Sequence, residues 1–250
     1  MSRFTLKPGK TSNLEQLRNA TPARIGVGRA GVRPPTADWI LFRRDHALAK
    51  DAVKSEFSRQ FLAWAAEMGY PTMQTLAADK GDFIAYPPKG KQALPDSIAR
   101  LQTHCPSHKD VQIVISDGLS ATAIEHNITP LMESLLRHLE RAGVSSGVPV
   151  VVRFGRVRIA DQICAALKAK VAINLIGERP GLSASDSLSA YITYSPSPET
   201  LSAQRTVLSN IHTMGTKPDE AARQICELVV AILRHRISGV ELQNAFSAGG

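Results

Sequence analysis

Residues Val111 to Ser120 read VQIVISDGLS, a short run of aliphatic side chains that stops at Asp117-Gly118. The run is too short for a buried helix and is bounded by a turn signal, so it reads as a strand with both faces covered. An apolar-periodic helix is expected behind it, from about Ile128 to Ala142. The pattern then repeats. VPVVVRFGR (Val148 to Arg156) is the next strand, Ile159 to Lys168 the helix behind it, and KVAINLIGERPG (Lys170 to Gly181) the third strand. Continuous apolar strands alternating with helices predict an α/β fold, a parallel sheet with helices on both faces. A last helix, about Pro218 to Arg236, carries Ala221, Ile225, Leu228, Val229, Ile232 and Leu233 on one face and closes a unit spanning 106–250.

Ahead of that unit the pattern is weaker. Residues 1–36 are polar and basic, and ARIGVGRAGVRPPT (Ala23 to Thr36) is rich in Gly, Arg and Pro, which suggests an extended arm or loop. A helix is expected from about Ala37 to Val53, with Asp38 able to cap its start. From Tyr70 to Pro95 short apolar pieces alternate with turn residues and read as short strands or loops, so 37–105 forms a helical and irregular region.

Composition removes several classes. No apolar run approaches the ~18 residues of a transmembrane helix, and the N-terminus lacks the apolar block of a secretory signal, so a membrane role is not expected and a cytoplasmic address is. Cys105, Cys164 and Cys226 are widely spaced and odd in number, the usage of reduced, buried thiols rather than of a disulfide framework or zinc site. The formal charge of +8 is concentrated at one end: residues 1–60 hold 12 Lys or Arg against 5 Asp or Glu. A basic arm of this kind can grip nucleic acid or another protein chain. No RNA-recognition signature or zinc-finger spacing accompanies it, and the chain has only 7 Phe for base stacking.

Ligands of such sheets rest at the carboxyl ends of the strands, near a reversal in strand order. Three loops leave strand ends here, SDGLS (Ser116 to Ser120), FGRVRIADQ (Phe154 to Gln162) and GERPGLS (Gly177 to Ser183), each setting glycine beside polar residues. Glycine allows backbone to approach a ligand closely, or simply turns a strand into its helix. GVGRAG (Gly26 to Gly31) fits a dinucleotide fingerprint by its letters, but no strand precedes it and Arg33-Pro34-Pro35 follows where a helix should open. There is no Walker A sequence and no nucleophile elbow. None of the seven histidines has zinc-protease spacing. Asp45-His46 and Asn210-Ile211-His212 read as polar anchors at loop or helix ends.

Taken in order, ARIGVGRAGVRPPT, RRDHALAKDAV, VQIVISDGLSATAI, VRFGRVRIADQI, IGERPGLSASDSLSAYITYSP, RTVLSNIH and EAARQI strongly resemble the light chain of ethanolamine ammonia-lyase, from about Ala23 to about Val240. The resemblance implies a Rossmann-like α/β subunit that encloses adenosylcobalamin against a large β/α-barrel chain, in a higher-order hetero-oligomer converting ethanolamine to acetaldehyde and ammonia. Val157 of GRVRI, Glu178 of GERPG and Val207 of RTVLS match family positions that contact the cobalamin. At Val207 other members carry cysteine, so a contact there runs through main chain or apolar packing.

The resemblance places substrate handling on the large chain, so no catalytic residue and no metal ligand is assigned to this one. Arg29 and Arg33 suit pairing with carboxylates across an interface. Longer family members carry an N-terminal extension that directs packaging into a bacterial microcompartment, and the segment before Thr21 is shorter than that. Loss of Glu178 is expected to weaken cofactor binding and to leave folding little affected; a structural pairing of Glu178 with Arg179 is the alternative. Two rival classes predict different partners: a stand-alone nucleotide or nucleic-acid binding module, or an α/β hydrolase whose base and nucleophile converge among Asp117, Ser120 and His212.

Overall fold

The computed structural model describes residues 12–20 and 24–248. Residues 1–11 and 21–23, parts of the expected arm, lie outside the described residues. In chain order the elements are α1 (Ser12–Asn19), α2 (Thr36–Lys54), α3 (Arg59–Glu67), β1 (Thr72–Gln74), α4 (Lys80–Ala85), α5 (Pro95–His104), β2 (Val111–Ser116), α6 (Ala121–Arg141), β3 (Val150–Arg153), α7 (Ile159–Ala166), β4 (Val171–Gly177), β5 (Leu188–Tyr194), β6 (Arg205–Ile211), α8 (Pro218–His235) and α9 (Val240–Ala248).

Six strands form one sheet in the order β1-β3-β2-β4-β5-β6. The first four are mutually parallel. Burial explains the aliphatic runs: every residue of β2 and β4 is buried, because α6 and α8 cover one face and α5 and α7 the other. Side chains split by parity, Ile113 and Ile115 meeting α6, and Val114 meeting Ile159 and Ile163 of α7. The expected α/β class is therefore observed.

Four local differences from the expected pattern stand out. The sheet is mixed, since β5 and β6 run antiparallel to β4; LSAYITY and RTVLSNI carry too many polar residues to read as covered strands. Helix α6 begins at Ala121, seven residues before the expected start, because Ser120 caps it by accepting from the Ala123 amide at 3.1 Å. Its inward residues there are Ala121, Ala123, Ile124 and the buried Asn127, a weak apolar signal, and Pro130 lies inside the helix. Residues 12–19 and 80–85 are helical where arm and loop patterns were read. In α2, Pro35 rather than Asp38 occupies the cap position, and Asp38 lies in the first turn.

Helix α2, like the short α1, packs little against the rest of the chain. Of its 19 residues only Ala52 is buried, while Trp39, Ile40, Leu41 and Leu48 are exposed.

Candidate functional site

From β2 the chain passes through α6 to β3 on one side, then through α7 back past β2 to β4 on the other. Strand order thus reverses between β2 and β4, the place where a crevice opens at the strand ends. A pocket of about 360 Å³ occupies it. All three glycine-bearing loops contribute: Gly118 and Leu119 from the first, Arg156 and Val157 from the second, Gly177, Glu178 and Arg179 from the third, with Tyr191 of β5 as a fourth wall.

The loops are locked together by backbone. Gly118 has φ +56°, and a side chain on it would collide with Gly177; one on Gly177 would strike the Ser120 and Asp117 carbonyls. These two glycines therefore let two loops touch, as well as turn. Leu119 N–H donates to the Gly177 carbonyl at 3.0 Å. Beneath them the buried Asp117 carboxylate accepts the amides of Phe154 and Gly155, each at 2.9 Å, and so holds Phe154 in a left-handed conformation at φ 58°. Lys80 of α4, also buried, donates to the Gly118 carbonyl at 2.8 Å and lies 3.9 Å from Asp117. Burial pushes the Asp117 carboxyl up to about 6, against the pull of Lys80 and the amides.

Asn174 ties the second loop to the sheet. Buried in the otherwise aliphatic β4, it accepts from Ser116 Oγ at 2.9 Å and donates to the Val157 carbonyl at 3.1 Å. A polar residue inside VAINLIG is the one sequence signal of this link, since a buried amide needs partners. Asn174 pairs with Tyr191 across to β5, and Tyr191 with Val207 across to β6. Asn174, Tyr191 and Val207 consequently form a row across the sheet, with the Val157 carbonyl bonded at its Asn174 end.

Val157 and Glu178 are thus brought together in the pocket. Val207 is not in it. It stands one strand beyond Tyr191, 44% exposed, on the edge strand, and borders a second hollow with Leu228 and Phe246.

Glu178 does not pair with Arg179. Its carboxylate accepts from Ser187 Oγ at 2.7 Å, from Ser189 Oγ, and from the Asn210 amide at 3.3 Å. Asn210 presents that amide from a bulge where β6 carries extra chain against β5, and it takes a left-handed φ of 63° to do so. Burial raises the Glu178 pKa, but the hydroxyl and amide donors outweigh it, leaving the carboxyl below its ordinary value.

The hydrolase arrangement is not formed. Ser120 Oγ donates to the Ser185 carbonyl and caps α6, Asp117 holds backbone amides, and His212 bonds Asn210 at 2.9 Å. Among the described residues no group of three or more His, Cys, Asp or Glu could hold a metal ion. The three cysteines are buried and unpaired. A larger hollow, about 620 Å³, lies between Arg24, Arg44, Asp45 and Leu48 and the far side of the third loop, at Gly181 to Ser185. It is a groove between exposed elements, with Asp45 bonded to Arg24 and Arg44 across its rim; the strand-end pocket has the better claim to a ligand.

The sequence carries no signal for Tyr191, Lys80 or the juxtaposition of Arg156 and Arg179 in the pocket, all of which depend on contacts distant in the chain. Among the described residues no helix is long and apolar enough to cross a membrane. A family model for the ethanolamine ammonia-lyase light chain matches residues 11–243, nearly the whole chain. The enzyme of that family is a lyase that depends on cobalamin, and a light chain implies a larger partner. By fold, strand-end loops and this match, the chain belongs to the ethanolamine ammonia-lyase light chain family.

Proposed function

We propose that this chain is the small subunit of an adenosylcobalamin-dependent ethanolamine ammonia-lyase, and that its strand-end pocket and the adjoining open face of β5 and β6 form one wall of the cofactor site. The observation that carries the reading is the meeting of Val157 and Glu178 at the strand-order reversal, with Tyr191 and Val207 following across the sheet. A cobalamin is a wide ring fringed with neutral amides, too large for a 360 Å³ pocket to enclose, and it suits a shallow shelf completed by a second chain.

The residues present fit that group. Val157 and Val207 offer apolar surface, Glu178 an ionised acceptor, and Tyr191 a hydroxyl with no hydrogen-bond partner among the described residues. Bound there, the cofactor supplies a cobalt–carbon bond that breaks homolytically to start the conversion of ethanolamine to acetaldehyde and ammonia. The chain's own part is to hold, orient and shield. Glu178, itself fixed by two serines and an amide, accepts from amide or hydroxyl donors; Val157 and Val207 exclude water. Substrate chemistry belongs to the large chain.

Helix α2 supports the partner. A 19-residue helix that buries only Ala52 and exposes Trp39, Ile40, Leu41 and Leu48 gains little from its own chain, and the exposed Arg29 and Arg33 beside it can meet carboxylates. We assign this surface to the hetero-oligomer. Cytoplasmic location, with or without a microcompartment, follows from the same reading.

The test is a three-way titration of adenosylcobalamin into this chain, the large chain and their reconstituted complex, with ethanolamine turnover followed in each. Tight binding and turnover are expected only in the complex. Turnover by the isolated chain would refute the assignment, and steeply salt-dependent RNA or DNA affinity without any second chain would favour the nucleic-acid module instead.

A further inference from the structure

Two cations of the strand-end pocket have no carboxylate bonded to them. Arg156 lines the pocket with its guanidinium 4.1 Å from the centre of the Phe83 ring. Its Nη2 donates to the Phe83 carbonyl at 3.0 Å, and its buried Nε has no hydrogen-bond partner. Arg179 reaches the same pocket from the third loop, exposed, and makes no ion pair among the described residues. Burial lowers the Arg156 pKa most and the charge of Arg179 lowers it further, while the buried Asp117 carboxylate offsets part of this. Two guanidiniums that repel each other beside an orphaned donor are placed at a cost that an anion between them would relieve.

The neighbouring carboxylates do not supply that anion. Glu178 is engaged by Ser187, Ser189 and the Asn210 amide, and Asp117 lies under Gly118, engaged by the Phe154 and Gly155 amides. The pocket floor at Gly118 and Gly177 is bare backbone where the two loops meet. Planar guanidiniums with several free N–H groups match the oxygens of a phosphate better than any neutral amide.

We infer that Arg156 and Arg179 form a subsite for a phosphodiester monoanion, and that the occupant is the bridging phosphate in the nucleotide tail of the cofactor. This rests on the cobalamin reading above. That phosphate is the cofactor's one phosphodiester, so the subsite would fix which way the tail leaves the ring and hence how the ring lies on the shelf. Arg179 supplies an adaptable charge from a loop, and Arg156 a guanidinium already immobilised on Phe83.

The experiment uses the reconstituted two-chain complex and reads equilibrium binding, not turnover. Adenosylcobalamin is compared with adenosylcobinamide, which lacks the nucleotide tail and its phosphate, on wild type, Arg179→Gln and Arg156→Lys. Arg179 is exposed, so its variant should assemble and melt as wild type does. Arg179→Gln should weaken cobalamin by about 10-fold or more, the effect of one charge-assisted hydrogen bond, and change cobinamide affinity by less than about twofold. Arg156→Lys, which keeps the charge and loses the fork, should lie between. Equal weakening of both ligands, or of neither, would overturn the subsite while leaving the cobalamin site intact. Inorganic phosphate or a free mononucleotide that binds the wild-type complex, depends on Arg179 and does not compete with cobalamin would also overturn it, by showing the anion to come from elsewhere. Failure of the wild-type complex to bind either cobalamin or cobinamide would defeat the proposed function itself.

Discussion

Strand β4 is buried at every position from Val171 to Gly177, whereas β6, two places along the same sheet, buries only Ile211 of its seven residues. The first belongs to the parallel half, covered on both faces. The second belongs to an antiparallel extension in which Ala190 and Ile192 of β5 meet the α8 core while Tyr191, Val207 and Ser209 on the opposite side stay partly or wholly open. A residue in the parallel half is chosen for packing, and its replacement is felt as lost stability. A residue on the open side of the extension has no such duty, so its chemistry is free to serve something outside the chain.

The tie between the halves should give the largest effect. Arg205 of β6 forms a two-pronged pair with Asp161 of α7, at 2.7 and 2.6 Å, with both side chains buried. Arg205→Ala leaves Asp161 buried without a counter-charge and should cost about 3–5 kcal/mol. Urea unfolding of the purified chain measures this; a cost below about 1 kcal/mol would mean that the edge hairpin is held by its backbone ladder alone.

Glu178, at the junction, should show an intermediate effect. Its three donors argue for a larger cost than the expectation that its removal leaves folding little affected: Glu178→Ala strands the Ser187 and Ser189 hydroxyls and the Asn210 amide, for about 1–3 kcal/mol. The sign with pH follows from the lowered pKa. The ionised carboxylate is the favoured form in the folded chain, so its contribution is complete above the ordinary value of 4.5 and is lost as pH falls through the lowered one. Thermal unfolding of wild type and variant should therefore converge in acid, and a gap that widens there would contradict the hydrogen-bonded picture.

Val207 should give the smallest effect on folding. Val207→Asn changes an exposed edge position, and the stability of the isolated chain should stay within about 0.5 kcal/mol of wild type. In the two-chain complex the same change should weaken cobalamin binding. A variant that destabilises the free chain yet binds cofactor normally would erase the distinction between covered and open strands.

The contrast also governs what could be read from the sequence. Covered strands announce themselves, as Val111, Ile113, Val114 and Ile115 do, because two apolar faces admit only a few polar residues that find buried partners, such as Ser116 and Asn174. Val150 to Val152 and Val171 to Ile176 were legible for the same reason. The extension was not, since Ser189 and Thr193 are buried polar residues bonded to Glu178 and Arg205, while Tyr191 and Ser209 are left partly or wholly open. The three strand-end loops could be found from their glycines, but their convergence could not, because it depends on which strand lies beside which. Glu178 was found through resemblance, whereas its serine partners lie 9 and 11 residues onward across a turn. Lys80 gave no signal at all: a lysine beside Asp79 and Gly81 reads as solvated loop until α4 carries it beneath Gly118.

The carboxylate of Asp117 reaches across 37 residues of chain to the Phe154 amide and 38 to that of Gly155, and Asn174 reaches 58 back to Ser116. Every wall of the pocket is thus closed by a contact that no fragment possesses. During synthesis the first loop emerges before Phe154, Gly155 and Gly177, the residues whose backbone fixes its shape. Closures of that span are entropically expensive and slow. The binding surface is therefore completed late, and a chain truncated before β5 contains all three loops yet lacks Tyr191 and the Ser189 and Asn210 donors that hold Glu178.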